Sequence, residues 1–125
     1  MEKEFVPYEL AVKLKALGFD EPCLDYFANG NPQNSWTISY NSDDLHRPFE
    51  SVARPTFSQA FRFFREKYGL DHETPYAGKP GEYHAFVNGY VYGNNGNNPS
   101  VFTYEGAEEI CLEKLIEIVE NEKTL

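Results

Sequence analysis

The chain has little of the chemistry that marks secreted, membrane-spanning or disulfide-bonded proteins. Its 125 residues include two cysteines, Cys23 and Cys111, which form no CxxC pair, and no N-x-S/T glycosylation sequon. No apolar run approaches the ~18 residues that a transmembrane helix requires. The first residues carry acids where a signal peptide carries basic residues, and no apolar segment follows them. We therefore expect a cytoplasmic protein with no membrane association.

Basic residues are also scarce. Eleven Lys and Arg face 20 Asp and Glu, which gives a formal net charge of −9 and a sequence pI near 4.7. A surface of this sign repels phosphate backbones and anionic lipids, so nucleic acid is a disfavoured partner.

Aromatic residues, by contrast, are abundant. Ten Phe, nine Tyr and one Trp make up 16% of the chain, and the hydrophobic share of 41% excludes a disordered protein. A chain of this length suits one hydrophobic core. The sequence therefore predicts a single domain over residues 1–125 with a ring-rich core.

Helical periodicity and capping signals predict three helices. The first covers about residues 7–17 and ends at Gly18, which supplies a left-handed C-terminal residue. The second begins at a T-x-x-Q capping box formed by Thr56 and Gln59, and the third begins at Thr103. The faces expected to be buried are Phe57, Ala60, Phe61, Phe64 and Tyr68 on the second helix, and Ala107, Cys111, Leu112, Leu115, Ile118 and Val119 on the third.

The first strand-rich region lies between the first two helices. Residues 23–27 and 36–40 have strand composition and are joined by the turn-like segment 28–32, which predicts a β-hairpin. Residues 41–55 are polar and interrupted by proline, which predicts a crossing loop.

The second strand-rich region precedes the last helix. Residues 83–87 and 90–92 have strong strand composition, whereas 72–77 contains Pro75 and suits only an edge strand or a short strand. The Gly- and Asn-rich residues 93–99 predict a loop. The order α-β-β-α-β-β-α predicts an α+β fold with helices packed on a small antiparallel sheet.

Three stretches resemble a known family. They are EFVPYEL at 4–10 continuing to LGFDEPC at 17–23, QAFRFFREKYGL at 59–70, and TYE followed by CLEKLIEIV within 103–119. Together they resemble small uncharacterised proteins encoded by phages and prophages of gut-dwelling Bacteroidota. The resemblance covers the helices, about half of the chain, and departs from the family at Gly106, where members usually carry Glu. It implies a phage-linked origin but no activity and no catalytic residues.

Residues suited to nucleophilic catalysis occur without a supporting pattern. Cys23 or Cys111 would need one of His46, His72 or His84 as its base, and a cationic setting to form a thiolate. Cys111 lies instead on the apolar face of a predicted helix. We interpret both cysteines as buried structural thiols and assign no catalytic residue.

No metal or cofactor site is expected. Asp71, His72, Glu73 and His84 lack the H-E-x-x-H or paired-His spacing of metal ligands, which favours an exposed strand face. Residues 93–98 resemble a phosphate-binding loop only in composition, because they do not lead directly into a helix. A mobile surface loop is the favoured interpretation.

The remaining candidates form a predicted interaction surface on the second and third helices. An acidic stripe repeats along the last helix at a spacing that destabilises an isolated helix by ~0.2–0.5 kcal/mol per like-charge pair. This stripe is either a solvated face or a mimic of a phosphate backbone. On the second helix, two arginines either bind an acidic partner or a phosphate group, or pair within the chain. A neighbouring Phe is either covered or an exposed anchor. The residues are Phe63, Arg62, Arg65, Glu109, Glu113, Glu117 and Glu120.

The sequence therefore favours a non-enzymatic accessory protein that binds another protein. The alternative is a small enzyme whose site is assembled from loop histidines such as His72 and His84 and neighbouring carboxylates. Direct nucleic-acid binding through the Arg-containing middle of the chain is the weakest of the three because of the net charge of −9.

Overall fold

The computed structural model describes residues 4–33, 38, 40–42, 50–92, 94–95, 98–99 and 101–123. Within these ranges the helices are α1 (Tyr8–Ala16), α2 (Phe57–Tyr68) and α3 (Tyr104–Lys123). The strands are β1 (Asp25–Ala28), β2 (Asn31–Gln33), β3 (Ser51–Arg54), β4 (His72–Glu73), β5 (Ala85–Val87), β6 (Tyr90–Tyr92), β7 (Asn94–Asn95) and β8 (Asn98–Pro99).

The predicted α+β class and the order of helical and strand-rich regions are confirmed. The chain divides into two compact units, unit 1 (Met1–Ala60) and unit 2 (Phe61–Leu125), with the division inside α2. Each unit has its own antiparallel three-stranded sheet among the described residues. The single domain over 1–125 stays a prediction.

The hairpin of unit 1 is tighter than the sequence predicts. β1 pairs with β2 across the two-residue turn of Asn29 and Gly30, whose φ angles of 51° and 84° are those of a type I′ turn. The predicted second strand, 36–40, is therefore wrong where it is described, because Ile38 and Tyr40 lie outside any strand. Its residues 36, 37 and 39 are outside the described ranges. Pro32 is tolerated in β2 because β2 is an edge strand.

The predicted crossing loop of residues 41–55 contains a strand. β3 pairs with the opposite side of β1, and all four of its residues are buried. The register places Arg54 directly across from Asp25, so the charge that Arg54 brings into the buried strand is neutralised in the fold. Residues 43–49 of the predicted loop are outside the described ranges.

The end of α1 has the predicted Gly geometry. Gly18 has φ 94°, its N–H donates to Lys15 O, and the Phe19 N–H donates to Leu14 O. These two bonds are those of a Schellman motif. The helix packs on β3 through a buried face that includes Leu10 and Leu14.

The start of α2 confirms the predicted capping box. Thr56 N donates to Gln59 Oε1 at 3.0 Å, and Gln59 N donates to Thr56 Oγ1 at 3.2 Å. The predicted faces are buried except for two half-buried side chains, Tyr68 on α2 and Ile118 on α3. Ile116 is buried although it was not predicted to be.

Unit 2 has the sheet order β4-β5-β6, with α3 packed on the central strand β5. β4 is the predicted edge strand, and a second type I′ turn, formed by Asn88 and Gly89, joins β5 to β6. In the predicted loop 93–99, β7 and β8 pair over two residues each. A composition rich in Gly and Asn does not signal such a ladder. Residues 93, 96 and 97 lie outside the described ranges.

Candidate interaction surface

The predicted acidic stripe is exposed along one side of α3. Its members are Glu109, Glu113, Glu117 and Glu120. Lys114 Nζ lies 3.3 Å from Glu117 Oε2, so one positive charge of the same helix offsets part of the repulsion. Among the helices in the described part of the chain, none is long and apolar enough to cross a membrane.

The predicted surface residues on α2 differ in their exposure to solvent. Arg62 and Arg65 are exposed. Phe63, however, is only 7% exposed, and its ring packs edge-on against Phe64 and Tyr68 with centroids 5.3 and 5.8 Å away. Phe63 is therefore not the exposed anchor that the sequence allowed. The helical wheel places it off the main apolar face but does not show what packs beside it.

Both cysteines are buried free thiols. Burial, with a smaller effect from neighbouring carboxylates, raises the pKa of Cys23 to about 12. Burial likewise raises the pKa of Cys111 to about 11, although its Sγ lies 3.4 Å from Phe86 O. A nucleophilic cysteine requires the opposite shift, so the structure favours the interpretation of structural thiols.

The histidines of unit 2 have separate surroundings. His72 lies flat on the Phe61 ring, and burial, followed by the Arg65 charge, lowers its pKa to about 4. His84 is half-buried and meets the Phe86 ring edge-on at 6.3 Å. The described residues contain no group of three or more His, Cys, Asp or Glu that could hold a metal ion. His46 is outside the described ranges.

A surface that the sequence did not predict is built on Tyr83. Tyr83 exchanges two backbone hydrogen bonds of 2.8 Å with Phe102, and on its other side it forms an antiparallel bridge with Tyr76. The turn between Tyr76 and Tyr83 is closed by the bond from Ala77 N to Glu82 O, at 2.9 Å. Backbone pairing thus fixes three chain segments side by side.

Three tyrosine rings lie in a row across these segments; we call Tyr76, Tyr83 and Tyr104 the tyrosine face. The Tyr76 and Tyr83 centroids are 5.9 Å apart, and those of Tyr83 and Tyr104 are 5.2 Å apart, both pairs edge to face. Tyr76 is 57% exposed, Tyr104 is 46% exposed and Tyr83 is half-buried. Such a row offers apolar ring surface and hydroxyl groups to a partner.

Only part of the tyrosine face has a sequence signal. The Gly-containing turn at residues 78–81 implies a hairpin that brings Tyr76 opposite Tyr83. Tyr104 joins them only because residues 101–103 return beside Tyr83, a long-range contact that no local pattern encodes.

Comparison with known proteins identified no relationship: no family model, no curated protein and no solved structure matches this chain.

Proposed function

We propose that the protein is a phage- or prophage-encoded accessory protein that acts in the cytoplasm by binding another protein, without catalysis. The observation that carries the binding function is the tyrosine face, a row of three contacting rings with two of them about half exposed. The phage origin is supported by the resemblance of the three helical stretches to that family, and the location by the two cysteines, which are both free thiols.

The tyrosine face has the properties of a binding hot spot. Tyrosine buries a large ring at little cost in conformational entropy and keeps a hydroxyl for hydrogen bonding, so it is enriched where protein interfaces have most of their energy. Backbone bonds of 2.8 Å between Tyr83 and Phe102 fix the main chain that carries the central ring, and this ring meets Tyr76 and Tyr104 edge to face before a partner arrives. A surface arranged in advance loses less freedom on binding.

The acidic stripe has a secondary part in this proposal. Exposed carboxylates keep the protein soluble and attract a partner of positive charge over distances of about a Debye length, roughly 8 Å at physiological salt. A complex that uses this attraction forms faster at low salt.

The enzyme alternative gains no support from the described residues. The perturbed histidine, His72, is stacked against Phe61, and its lowered pKa leaves it a weak base at neutral pH. Burial explains the shift without a catalytic role.

The experiment compares three forms of the tagged protein in capture from a lysate of a gut Bacteroidota strain. They are the wild type, a Tyr76→Ser/Tyr104→Ser double variant and a Tyr90→Ser control, which changes another exposed tyrosine of the same unit. We expect a protein that the wild type and the control capture equally and that the double variant loses at least tenfold. Identical captured proteins for all three forms would overturn the proposed function.

A further inference from the structure

Unit 1 contains a pocket that the proposed function does not use. Its volume is about 390 Å³, within the size range of ligand sites. The walls are Phe5, Pro22, Cys23, Leu24, Ile38, Thr56 and Gln59. At its edge, Leu24 is 56% exposed and Ile38 is 63% exposed, so two aliphatic side chains face solvent beside an apolar cavity.

Contacts within unit 1 hold Phe5, Thr56 and Gln59 in the walls of the pocket. Phe5 forms an antiparallel bridge with Thr56, and the Arg54 guanidinium lies 4.3 Å from the centre of the Phe5 ring. Both polar atoms of the Gln59 amide are hydrogen-bonded: its Oε1 accepts from Thr56 N, and its Nε2 donates to Pro22 O at 2.8 Å. The polar atoms of Gln59 are thus used inside the protein, so this wall presents apolar surface to the pocket.

The charge around the pocket is negative. Three charged residues are next in sequence to a wall residue, and all three are acids: Glu4, Glu21 and Asp25. The charges of Glu21, Asp20 and Asp25 reach the pocket, because they contribute to the raised pKa of the Cys23 thiol in its wall. Arg54 pairs with Asp25, and residues 1–60 hold nine acids against five basic side chains, so acids outnumber bases in the unit that contains the pocket.

We propose that this pocket binds a segment of another protein that carries a leucine-sized aliphatic side chain flanked by lysine or arginine. The aliphatic side chain enters between Leu24 and Ile38 and replaces water on the apolar walls. The flanking cations lie toward the acidic surroundings of the pocket, to which Glu4 belongs, where opposite charge favours association. This site is separate from the tyrosine face in both its residues and its chemistry.

The test uses three synthetic peptides, acetyl-GKLKG-amide, acetyl-GELEG-amide and acetyl-GKGKG-amide, titrated into the 15N-labelled full chain. We expect GKLKG to shift the backbone amides of Cys23, Leu24, Thr56 and Gln59 saturably. It should bind at least tenfold more tightly than GELEG, which has the wrong charge, and than GKGKG, which lacks the aliphatic side chain. Because only unit 1 residues are monitored, loss of the proposed tyrosine-face function leaves this result unchanged.

Matched variants of exposed residues assign the binding to the pocket. Leu24→Ser should weaken GKLKG binding at least tenfold, whereas Val12→Ser, an exposed aliphatic position on α1, should leave it unchanged. Glu4→Lys should weaken binding about fivefold, and Glu9→Lys, the same charge change on α1, should have less than a twofold effect. If Leu24→Ser loses its dispersed spectrum, Ile38→Ser takes its place.

Three outcomes would overturn the proposal. One is equal affinity for all three peptides, and another is an equal loss of binding in Leu24→Ser and Val12→Ser. The third is a concentration-dependent shift of the same amides without peptide, which would show that a second copy of this chain occupies the pocket.

Discussion

The imidazole of His72 lies parallel to the ring of Phe61, with centroids 3.5 Å apart and planes 15° from parallel. His72 begins the edge strand β4 and pairs with Val87 of β5. Burial against this ring disfavours the charged imidazolium, the positive charge of Arg65 adds to the effect, and the nearby Asp71 opposes it. The neutral form of His72 is therefore part of the folded structure.

The stability of the protein should fall in mild acid because of His72. Its pKa is about 4 in the folded chain against an ordinary 6.5, so the unfolded state binds the extra proton between these values. The stability that the neutral form of His72 contributes to the folded chain is fully present above pH 6.5 and is lost as the pH falls toward 4. After allowance for partial exposure, we expect a loss of about 1 kcal/mol between pH 7 and pH 5. Urea unfolding at both pH values measures it.

The control for this prediction is His72→Gln, which removes the titrating group. Its stability should change less between pH 7 and pH 5 than that of the wild type, and the difference isolates His72 from the other histidines. Equal pH dependence in the two proteins would refute the assignment.

Removal of one partner of the Arg54–Asp25 pair should destabilise the chain strongly, whereas replacement of both partners by apolar side chains should destabilise it little. Arg54 Nη1 lies 3.4 Å from Asp25 Oδ2, and both side chains are buried. Asp25→Ala leaves a buried guanidinium without its carboxylate and should destabilise the chain by about 3–5 kcal/mol. The double variant Asp25→Leu/Arg54→Met should recover most of this loss. Chemical denaturation of the wild type and the two variants gives the values, and a double variant less stable than Asp25→Ala would contradict the prediction.

The thiols should react only after unfolding. Burial raises the pKa of Cys23 to about 12 and that of Cys111 to about 11, so thiolate is scarce at pH 8. A thiol reagent at pH 8 should modify both within minutes in guanidinium and neither in the folded protein. Cys23→Ala and Cys111→Ala assign any reaction to one residue. Stoichiometric labelling of Cys111 in the folded protein would contradict its structural role.

The helices were predictable because their starts and ends depend on nearby residues. The Thr56–Gln59 capping box and the Gly18 stop involve side chains and backbone within a few positions of each other. β3 was missed because its evidence is distant: Arg54 suits a buried strand only with Asp25 across from it. In the tyrosine face, the turn at residues 78–81 made the pairing of Tyr76 with Tyr83 predictable, whereas the position of Tyr104 depends on long-range packing.

The acidic stripe and the arginines of α2 should be energetically independent. Glu113, Glu117, Arg62 and Arg65 are all exposed, and Glu117 already lies 3.3 Å from Lys114. A mutant cycle combines the double variant Glu113→Lys/Glu117→Lys with the double variant Arg62→Glu/Arg65→Glu. We expect the coupling in the free energy of unfolding to be below ~1 kcal/mol, as it usually is for exposed pairs. Thermal unfolding of the four proteins measures it. A larger coupling would mean that the two groups stabilise each other and would leave the stripe without a free charge for a partner.

Gly106→Ala should stabilise the chain only when Thr103 no longer caps α3. The Gly106 N–H donates to Thr103 Oγ1 at 3.0 Å, and a Cβ added at Gly106 would lie 2.9 Å from that same oxygen. Gly106→Ala gains up to about 1 kcal/mol of helix propensity but displaces the cap, which contributes about 1 kcal/mol. We therefore expect less than ~0.5 kcal/mol of net change in the wild-type background. With Thr103→Ala in place the cap is already lost, so Gly106→Ala should stabilise by most of its helix propensity. Urea unfolding of the four proteins tests this, and an equal stabilisation in both backgrounds would show that the cap and the added Cβ do not compete for the same space.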